Sequence, residues 1–443
     1  MPKSKDPVFS EDQRVVLKKV VEEGKNVFFT GCAGVGKSIL IDKMVQELKE
    51  KLGNNGQVAV TASTGRAAFN IGGCTLHSFA GIGLGKENAS TLASKISFNK
   101  VLRQRWIKVK VLIIDEISMI DGKLFDKLEY IAERVRGRTA PFGGIQLILT
   151  GDFLQLPPVS SNNLNEEVAL RTFEAKSWNE CIKEYVCLRT VYRQSDKDFI
   201  IALAKIRIGH IDESTATLLN DLSRDLSPQD EGEPVNLYAT RIKADEYNNK
   251  RLSEIEGSTY VYHSEDVVQR RGSSDILKQC PAPMSITLKK GAQVMLIRNL
   301  NNDLVNGTVG IVTGFTNSVM RIYEEKTFTE SLPIVRFTLA NGRMYTKVLE
   351  RSVWEIKQTD GNLLAYRRQM PLILAWAVTI HKSQGQTIQR LRVHLEEVFE
   401  SGQVYVALSR AVNMENLQVI GLNPDTVKTD TKSLKFYVDN DLL

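Results

Sequence analysis

Cysteine, histidine and long apolar runs are all scarce in this sequence, and each scarcity closes off a class of function. The five cysteines (Cys32, Cys74, Cys181, Cys187 and Cys280) are odd in number and contain no Cys-x-x-Cys pair. Neither a disulfide framework nor a zinc or redox centre is suggested, and reduced thiols are expected. The five histidines (His77, His210, His263, His381 and His394) are scattered without metal-ligand spacing, which argues against a metalloenzyme built on imidazole. No stretch approaches the ~18 apolar residues of a bilayer span, and the opening MPKSKDPVFSED has no apolar signal-peptide core, so a soluble, intracellular protein with no membrane partner is expected. Charge of one sign is lacking too: 58 Lys and Arg oppose 52 Asp and Glu, a net +6 that is too small over 443 residues to prove an anionic partner. Short-period repeats and low-complexity segments are absent. A composition 42% hydrophobic and 25% charged excludes a disordered or fibrous chain. Since single cores stop growing at roughly 250 to 300 residues, two or three domains are expected.

What is present in the first half is a series of short, continuously apolar runs: NVFFT at 26 to 30, QVAVTA at 57 to 62, VKVLII at 109 to 114 and IQLILT at 145 to 150. Such runs predict fully buried strands of a parallel sheet. Between the first two, Leu40, Ile41, Met44, Val45, Leu48 and Leu52 recur at helical spacing, giving the order strand, loop, helix, strand of a βαβ unit. From about residue 286 to 357 the texture changes to short β-branched runs with Asn-Gly at 306–307 and 341–342, the preferred sequence of type I′ hairpin turns. The flanks, LYATR at 237 to 241 and the region after Met370, return to α/β texture. A small all-β module is therefore expected as an insertion in a second α/β domain. The closing KSLKFYVDNDLL predicts a terminal helix docked through Phe436 and Tyr437.

GCAGVGKS at 31 to 38 fits G-x-x-x-x-G-K-[ST], directly after a predicted strand and before a predicted helix. Gly31, Gly34 and Gly36 let backbone N–H groups crowd around phosphates, and the helix N-terminus adds partial positive charge. Lys37 is expected on the β- and γ-phosphates of ATP, and Ser38 on Mg²⁺. The bland alternative, a chance glycine-rich turn, lacks a reason for the strand and helix on either side. VLIIDEIS at 111 to 118 sets two carboxylates at the end of a buried strand, where groups reach a nucleotide above the sheet's carboxyl edge. Asp115 is expected to hold Mg²⁺ and Glu116 to orient or deprotonate the attacking water. Alone, such a pair is as readily a solvated strand end. GDFLQLPPV at 151 to 159 brings Asp152 and Gln155 to the same edge as candidate γ-phosphate sensors. Arg193 and Arg410 are each, in isolation, ordinary surface arginines. If both belong to a second lobe, they complete the ATP site only on closure, as arginine fingers worth ~10³ to 10⁵ in rate.

The ordered series GCAGVGKS, TASTGRAA, IIDEIS, GDFLQLPPV, VYRQ, TIHKSQGQT and VYVALSRA resembles the superfamily 1 helicases of the Pif family, named for petite integration frequency. DKLEYIAERVRGRTAPFGGIQ at 126 to 146 resembles that family's signature segment, and the resemblance runs from Gln13 to about Leu417. It implies an α/β fold of two RecA-like P-loop parallel-sheet domains with a small inserted Src-homology-3-like β-barrel. The implied domains are 1–187 (motor domain 1A, with a wedge insertion at 72–90), 188–252 with 367–426 (motor domain 2A), 253–366 (inserted domain 2B) and a C-terminal segment 427–443. The resemblance also implies a superfamily 1B, DNA-stimulated ATP hydrolase that moves 5′→3′ on single-stranded DNA and unwinds duplex DNA, G-quadruplexes and RNA–DNA hybrids in replication, repair, recombination or telomere maintenance. Gln13 matches the adenine-reading glutamine, and Gln155, Arg193, Gly385 and Arg410 match γ-phosphate contacts. Thr64, Gly65, His77, Thr240, Asn248, His381, Lys382 and Ser383 match DNA contacts. Cys32 and Val35 depart from the usual small or hydroxyl residues of the P-loop, without removing a side chain that phosphate binding needs.

Phe79 is either a base-stacking residue, worth ~1 to 3 kcal/mol, or a core residue. The segment CTLHSFAGIGLGKEN at 74 to 88, with Ile82 and Leu84 expected on its surface, is either a flexible loop or, by the resemblance, the wedge. His381 to Ser383 are expected to touch DNA while Gln384 and Gly385 face nucleotide, making 379 to 387 the coupler. The expected partners are single-stranded DNA and duplex or structured DNA, for a monomer that dimerises, if at all, on DNA. A eukaryotic source implies nucleus or mitochondrion, any other source cytoplasm. Two rivals stay open at this level: a non-translocating P-loop ATPase, and a DNA-binding module with a vestigial ATP site.

Overall fold

The apolar runs of the first half become strands lying side by side. In the computed structural model, which describes residues 8–53, 55–158, 169–227, 232–268, 277, 280–301, 303–317, 319–323, 326–339, 342–357 and 363–443, six strands form one sheet. They are β1 (Val27–Gly31), β2 (Val58–Ala62), β3 (Cys74–Thr75), β4 (Val111–Asp115), β5 (Gln146–Thr150) and β6 (Glu184–Leu188), in the order β3-β2-β4-β5-β1-β6. Every pairing is parallel, and β1 and β4 are buried along their whole length, which is why their sequences carry no polar alternation. The helix Lys37–Leu52 buries Leu40, Ile41, Met44 and Leu48 and stops at Gly53, whose φ is 88°. Each such buried side chain stabilises the layer by roughly 1.5–3 kcal/mol. Because β4, β5 and β1 are neighbours, the carboxyl ends at Asp115, Thr150 and Gly31 fall next to one another along a single edge.

The signature segment is a clamp on this unit. Its helix Gly122–Arg136 ends in a guanidinium whose Nε donates to Gly143 O (2.6 Å) and whose Nη1 donates to Trp106 O and to Val109 O (2.8 Å). Arg136 thereby satisfies end carbonyls of the helix Lys100–Lys108, groups that otherwise lack partners. Phe142, at φ 53°, sits fully buried against Phe125.

The chain divides into two units, the first holding the described residues up to Arg193 and Thr429–Leu443, the second Gln194–Ile356 and Leu363–Lys428. Arg193, expected in the second lobe, thus falls in the first. The reason is local: beyond β6 the chain stays bonded to the P-loop, Tyr192 N donating to Gly34 O (2.9 Å). From Thr429 on, the closing residues likewise belong to the first unit and do not form a separate segment. Their helix, Thr431–Asp439, is capped by Asp430, whose carboxylate also takes a two-pronged bond from Arg171 (2.9 and 3.1 Å).

In the second unit the strands Ala377–Thr379, Val235–Tyr238, Leu391–His394 and Leu417–Ile420 form a four-stranded sheet in that order, again parallel throughout. Met344–Val348, Pro333–Thr338, Val309–Phe315, Gln293–Leu296 and Leu372–Leu374 form a five-stranded antiparallel sheet. Among the described residues this sheet does not close on itself, so the expected barrel is replaced by an open sheet. Its last strand is only three residues long and runs directly on to Ala377 of the parallel sheet, which ties that edge down. The antiparallel sheet has a core in which Val294, Val312, Val335, Phe337 and Leu372 pack with Leu252 of the helix Arg241–Glu254 and with Trp376, the residue before Ala377. Asn306-Gly307 is central to a turn closed by Thr308 N→Val305 O (3.0 Å), but at the end of a longer connection and not in a two-residue hairpin. Asn341, like Val159 of GDFLQLPPV, lies outside the described residues, while Gly342 follows in the left-handed region at φ 76°. No helix among the described residues is long and apolar enough to cross a membrane.

Candidate active site

The P-loop is built by close approach. A Cβ on Gly31 would stand 2.6 Å from Leu188 O, and one on Gly36, at φ 81°, would stand 3.0 Å from Gln13 Nε2. Only glycine fits both places. Gly36 is also the N-cap of Lys37–Leu52, so the first free N–H groups of a sixteen-residue helix open onto the loop. Lys37 folds back over it, Nζ donating to Gly31 O (2.6 Å) and Cys32 O (3.1 Å). Ser38 is exposed beside it. Gln13 is buried and fully engaged: its Oε1 accepts from Ser10 N (2.9 Å) and its Nε2 donates to Val35 O (3.2 Å). In this structure the residue expected to read adenine braces the helix start Glu11–Leu17 against the loop.

At the end of β4, Asp115 is buried and accepts from Glu116 N (2.8 Å). Burial, and then the neighbouring Glu116 charge, raise its carboxyl well above the ordinary aspartate value, while the Glu116 N–H and Lys37 oppose the rise. Glu116 has φ 51°, a left-handed conformation that costs a non-glycine residue energy. At the end of β5, Asp152 is fully buried and holds the turn that follows: Oδ1 accepts from Leu154 N (3.2 Å) and Oδ2 from Gln155 Nε2 (3.0 Å). Lys37, Asp115, Glu116, Asp152 and Gln155 therefore lie on the three adjacent strand ends of one unit. Arg193 follows Tyr192, whose ring lies 3.7 Å from where a Gly36 Cβ would be.

The second unit assembles its own cluster. Arg410 is 1% exposed, its Nε donating to Val406 O (2.8 Å), Nη1 to Gln386 O (3.3 Å) and Nη2 to Ser409 Oγ (2.8 Å). Gln194, which sequence reasoning passed over, donates to Ser409 O (3.2 Å) and Ala411 O (2.9 Å) and so ties the first residue of the second unit to VYVALSRA. Gln384 N donates to His381 O (3.3 Å), and Gly385 is exposed at φ 75° with nothing near its Cβ direction.

The residues matched to DNA contacts divide in two. Thr64 caps the helix Gly65–Asn70 through Ala67 N (3.2 Å) at the carboxyl end of β2, Thr240 is the N-cap of Arg241–Glu254, and Lys382 is exposed. His381 Nε2 stands 2.9 Å from Glu400 Oε2. His77 is part-buried, which lowers its pKa and leaves the ring neutral at neutral pH. The others face inward. Phe79 is fully buried with its ring 5.3 Å from Trp106, so of its two readings the core one holds. Asn248 is buried and exchanges two hydrogen bonds with the Ala377 backbone, Nδ2→O at 2.7 Å and N→Oδ1 at 2.9 Å. Ser383 is buried with its hydroxyl on Ile380 O (2.7 Å). In the segment 74–88 Leu84 is 80% exposed as expected, but Ile82 is 5% exposed and belongs to the interior.

The PIF1-like helicase family model matches residues 8–217, and that of the DNA helicase Pif1 2B domain matches residues 273–315. The crystal structure of Pif1 helicase from Candida albicans is similar to this chain at 42% identity and a TM-score of 0.80, over 98% of this chain and 100% of that one. The chain belongs to the PIF1-like helicase family. The ATP-dependent DNA helicase PIF1 of Emericella nidulans is 41% identical over 99% of this chain and 64% of its own length. A Bacteroides Pif1 in complex with ADP-AlF3 and single-stranded DNA is 28% identical with a TM-score of 0.66, over 98% of this chain and 97% of that one. The chain spans between 56% and 64% of the length of the fungal PIF1 relatives it matches first. Within this PIF1-like chain, Arg136 gives the signature segment a structural reason that spacing did not show.

Proposed function

We propose that this chain is the motor of an ATP-dependent DNA helicase, which hydrolyses ATP and moves 5′→3′ along single-stranded DNA. The observation that carries the reading is the convergence of Lys37, Asp115–Glu116 and Asp152–Gln155 on adjacent strand ends. The solved relative that binds ADP-AlF3 and single-stranded DNA lends it support. The phosphates of ATP lie on the N–H groups of the loop 31–38, with Lys37 released from its carbonyls onto the β- and γ-phosphates. Water attacks the γ-phosphorus, its proton passes to Glu116, and the bond to the β-phosphate oxygen breaks to leave ADP. Gln155 contacts the γ-phosphate, and Arg193, on the same unit, neutralises the charge that develops.

The residues present fit Mg²⁺. Asp115 is a carboxyl raised by burial and an adjacent like charge, so a divalent cation beside it offsets the cost of ionisation, and Ser38 offers an exposed hydroxyl in the first turn of the helix after the P-loop. When bound, the ion neutralises charge on the β- and γ-oxygens. On the second unit, 379–387 couples ATP to the strand. Thr64, Thr240 and Lys382 contact phosphates in a way indifferent to base sequence. Residues around Leu84 split the duplex, and the open β-sheet module takes the place that the resemblance gives to a barrel. G-quadruplexes and RNA–DNA hybrids are further substrates, and replication, repair, recombination and telomere maintenance the settings.

The test is ATP-dependent unwinding of duplexes bearing a 5′ or a 3′ single-stranded tail, beside ATP hydrolysis with and without single-stranded DNA. Unwinding confined to the 5′-tailed duplex is expected. Hydrolysis indifferent to DNA would mark a non-translocating ATPase, and preference for the 3′ tail would reverse the polarity.

A further inference from the structure

The turn carrying Gln155 is held by a residue from the other end of the chain. The helix Thr431–Asp439 lies outside the spans that the two family models match, and nothing in its spacing marks it as part of a site. It docks through an aromatic cluster: Phe436 stacks on Phe173 with ring centroids 4.4 Å apart and meets Phe153 (5.6 Å) and Tyr185 (5.9 Å) edge-on. That packing delivers the next residue, Tyr437, fully buried, to the gap between the carboxyl ends of β1 and β5. There its Oη lies 2.5 Å from Thr30 Oγ1, 3.1 Å from Phe153 N and 3.1 Å from Asp152 Oδ1. Thr30 immediately precedes the P-loop, and Asp152 holds Gln155 Nε2 through its other oxygen.

A phenolic hydroxyl has one proton to give, and a buried carboxylate is the strongest acceptor in reach. With that proton on Asp152 Oδ1, Oη accepts from Phe153 N and from Thr30 Oγ1, whose single proton then turns to Oη from Gly151 O, the other acceptor in its reach at 2.8 Å. The carboxylate is then solvated by Leu154 N, Gln155 Nε2 and Tyr437, and both of its oxygens are fixed in direction. Without the hydroxyl, Asp152 loses a hydrogen-bond partner while buried, and it can recover one by turning, which moves Gln155 with it.

We propose that Tyr437 is a positioning residue for ATP hydrolysis: through Asp152 it sets the direction of Gln155, so that the C-terminal helix is part of the γ-phosphate-sensing apparatus. This rests on the reading of Gln155 given under the proposed function. The experiment uses the full chain with Tyr437→Phe, which keeps the ring and removes the hydroxyl, beside Gln155→Ala, the double variant, and Phe436→Leu, which thins the aromatic packing but keeps the hydroxyl. Steady-state ATP hydrolysis is measured with saturating single-stranded DNA, well below the thermal midpoint of every variant. Tyr437→Phe is expected to lower kcat about tenfold, as loss of one hydrogen bond to a buried charge does, with KM for ATP and DNA affinity unchanged. The double variant should be no slower than Gln155→Ala alone, since the two act in series. Phe436→Leu should lower the thermal midpoint and leave kcat near wild type. Wild-type kcat in Tyr437→Phe overturns the proposal. So does a double variant in which the two losses multiply, or a Phe436→Leu loss as deep as that of Tyr437→Phe, which would mean that docking alone matters. Full activity in Gln155→Ala sinks instead the assignment of Gln155 on which the proposal stands.

Discussion

Replacing Asn248 by alanine separates two roles that sequence resemblance and structure give the same residue. The resemblance makes it a DNA contact. In the structure its carboxamide replaces a missing neighbour strand: Ala377 begins the outermost strand of the four-stranded sheet, pairing with Val235–Tyr238 on one side, and Asn248 satisfies its N–H and C=O on the other. Alanine removes both bonds. Each is worth about 1 kcal/mol net, and a backbone group left buried without a partner costs about 1–3 kcal/mol, so a destabilisation of about 2–4 kcal/mol is expected for the second unit. The assay is urea unfolding followed by tryptophan fluorescence, which should show a lower midpoint for the transition of this unit. It is paired with DNA affinity at one fixed salt concentration in the folded range, since phosphate contacts are salt-dependent. Affinity should hold within about twofold. An unchanged midpoint with affinity weakened by about tenfold, the loss of one good contact, would refute the structural account and return Asn248 to the DNA.

Lys37→Ala should abolish DNA-stimulated ATP hydrolysis and unwinding while leaving nucleotide-free DNA binding intact, checked by coupled ATPase assay and fluorescence anisotropy; retained unwinding would remove Lys37 from the site. Phe79→Ala should cost about 3–5 kcal/mol of stability, as core aromatic truncations do, whereas Phe79→Leu should restore most of it and bind single-stranded DNA as the wild type does; a base-stacking role would weaken binding in both. Glu129 is raised from 4.5 to about 7, first by burial and then by Glu133, against the Phe142 N–H. The folded chain therefore holds a proton that the unfolded chain has released, and stability falls as pH rises from about 4.5 to about 7. Glu129→Gln should flatten this part of the thermal-midpoint profile between pH 5 and 8, and an unaltered profile would contradict the assignment.

The parallel sheet was legible because burial on both faces writes itself into sequence as unbroken apolar runs, and the helix Lys37–Leu52 because one face of it is buried at helical spacing. The P-loop was legible for a different reason. A Cβ clash at Gly31 and a left-handed φ at Gly36 force glycine at fixed offsets from Lys37, so geometry leaves a mark in composition. The inserted β module was legible as texture only. Whether its sheet closes depends on how Leu372–Leu374 is tied to Ala377, a junction that alternation of residues does not encode. The boundary near Arg193 depends in the same way on contacts of residues 189–192 with the first unit, among them Tyr192 N→Gly34 O and Arg189 N→Asp12 Oδ2.

Motif order identifies which residues are constrained and not which way they point. Asn248, Ser383 and Phe79 lie in segments matched to DNA contacts, yet their side chains hold Ala377, cap Ile380 and pack on Trp106. A helicase motif must build the loop it presents as well as present it, and a polar residue whose bonds are all to its own scaffold serves that first task. Tyr437 is the converse case. Its contribution to Asp152 is made by one atom brought from 285 residues away, and a helix that reads as a docked terminus gives no periodic or compositional sign of it. Such long-range hydroxyl contacts can be found only from coordinates. They bear on how catalytic turns are fixed because a buried carboxylate such as Asp152 must be solvated by whatever donors the fold supplies. In this chain one of those donors comes from the terminal helix, so the helix Thr431–Asp439 and the turn carrying Gln155 are joined through a single hydroxyl.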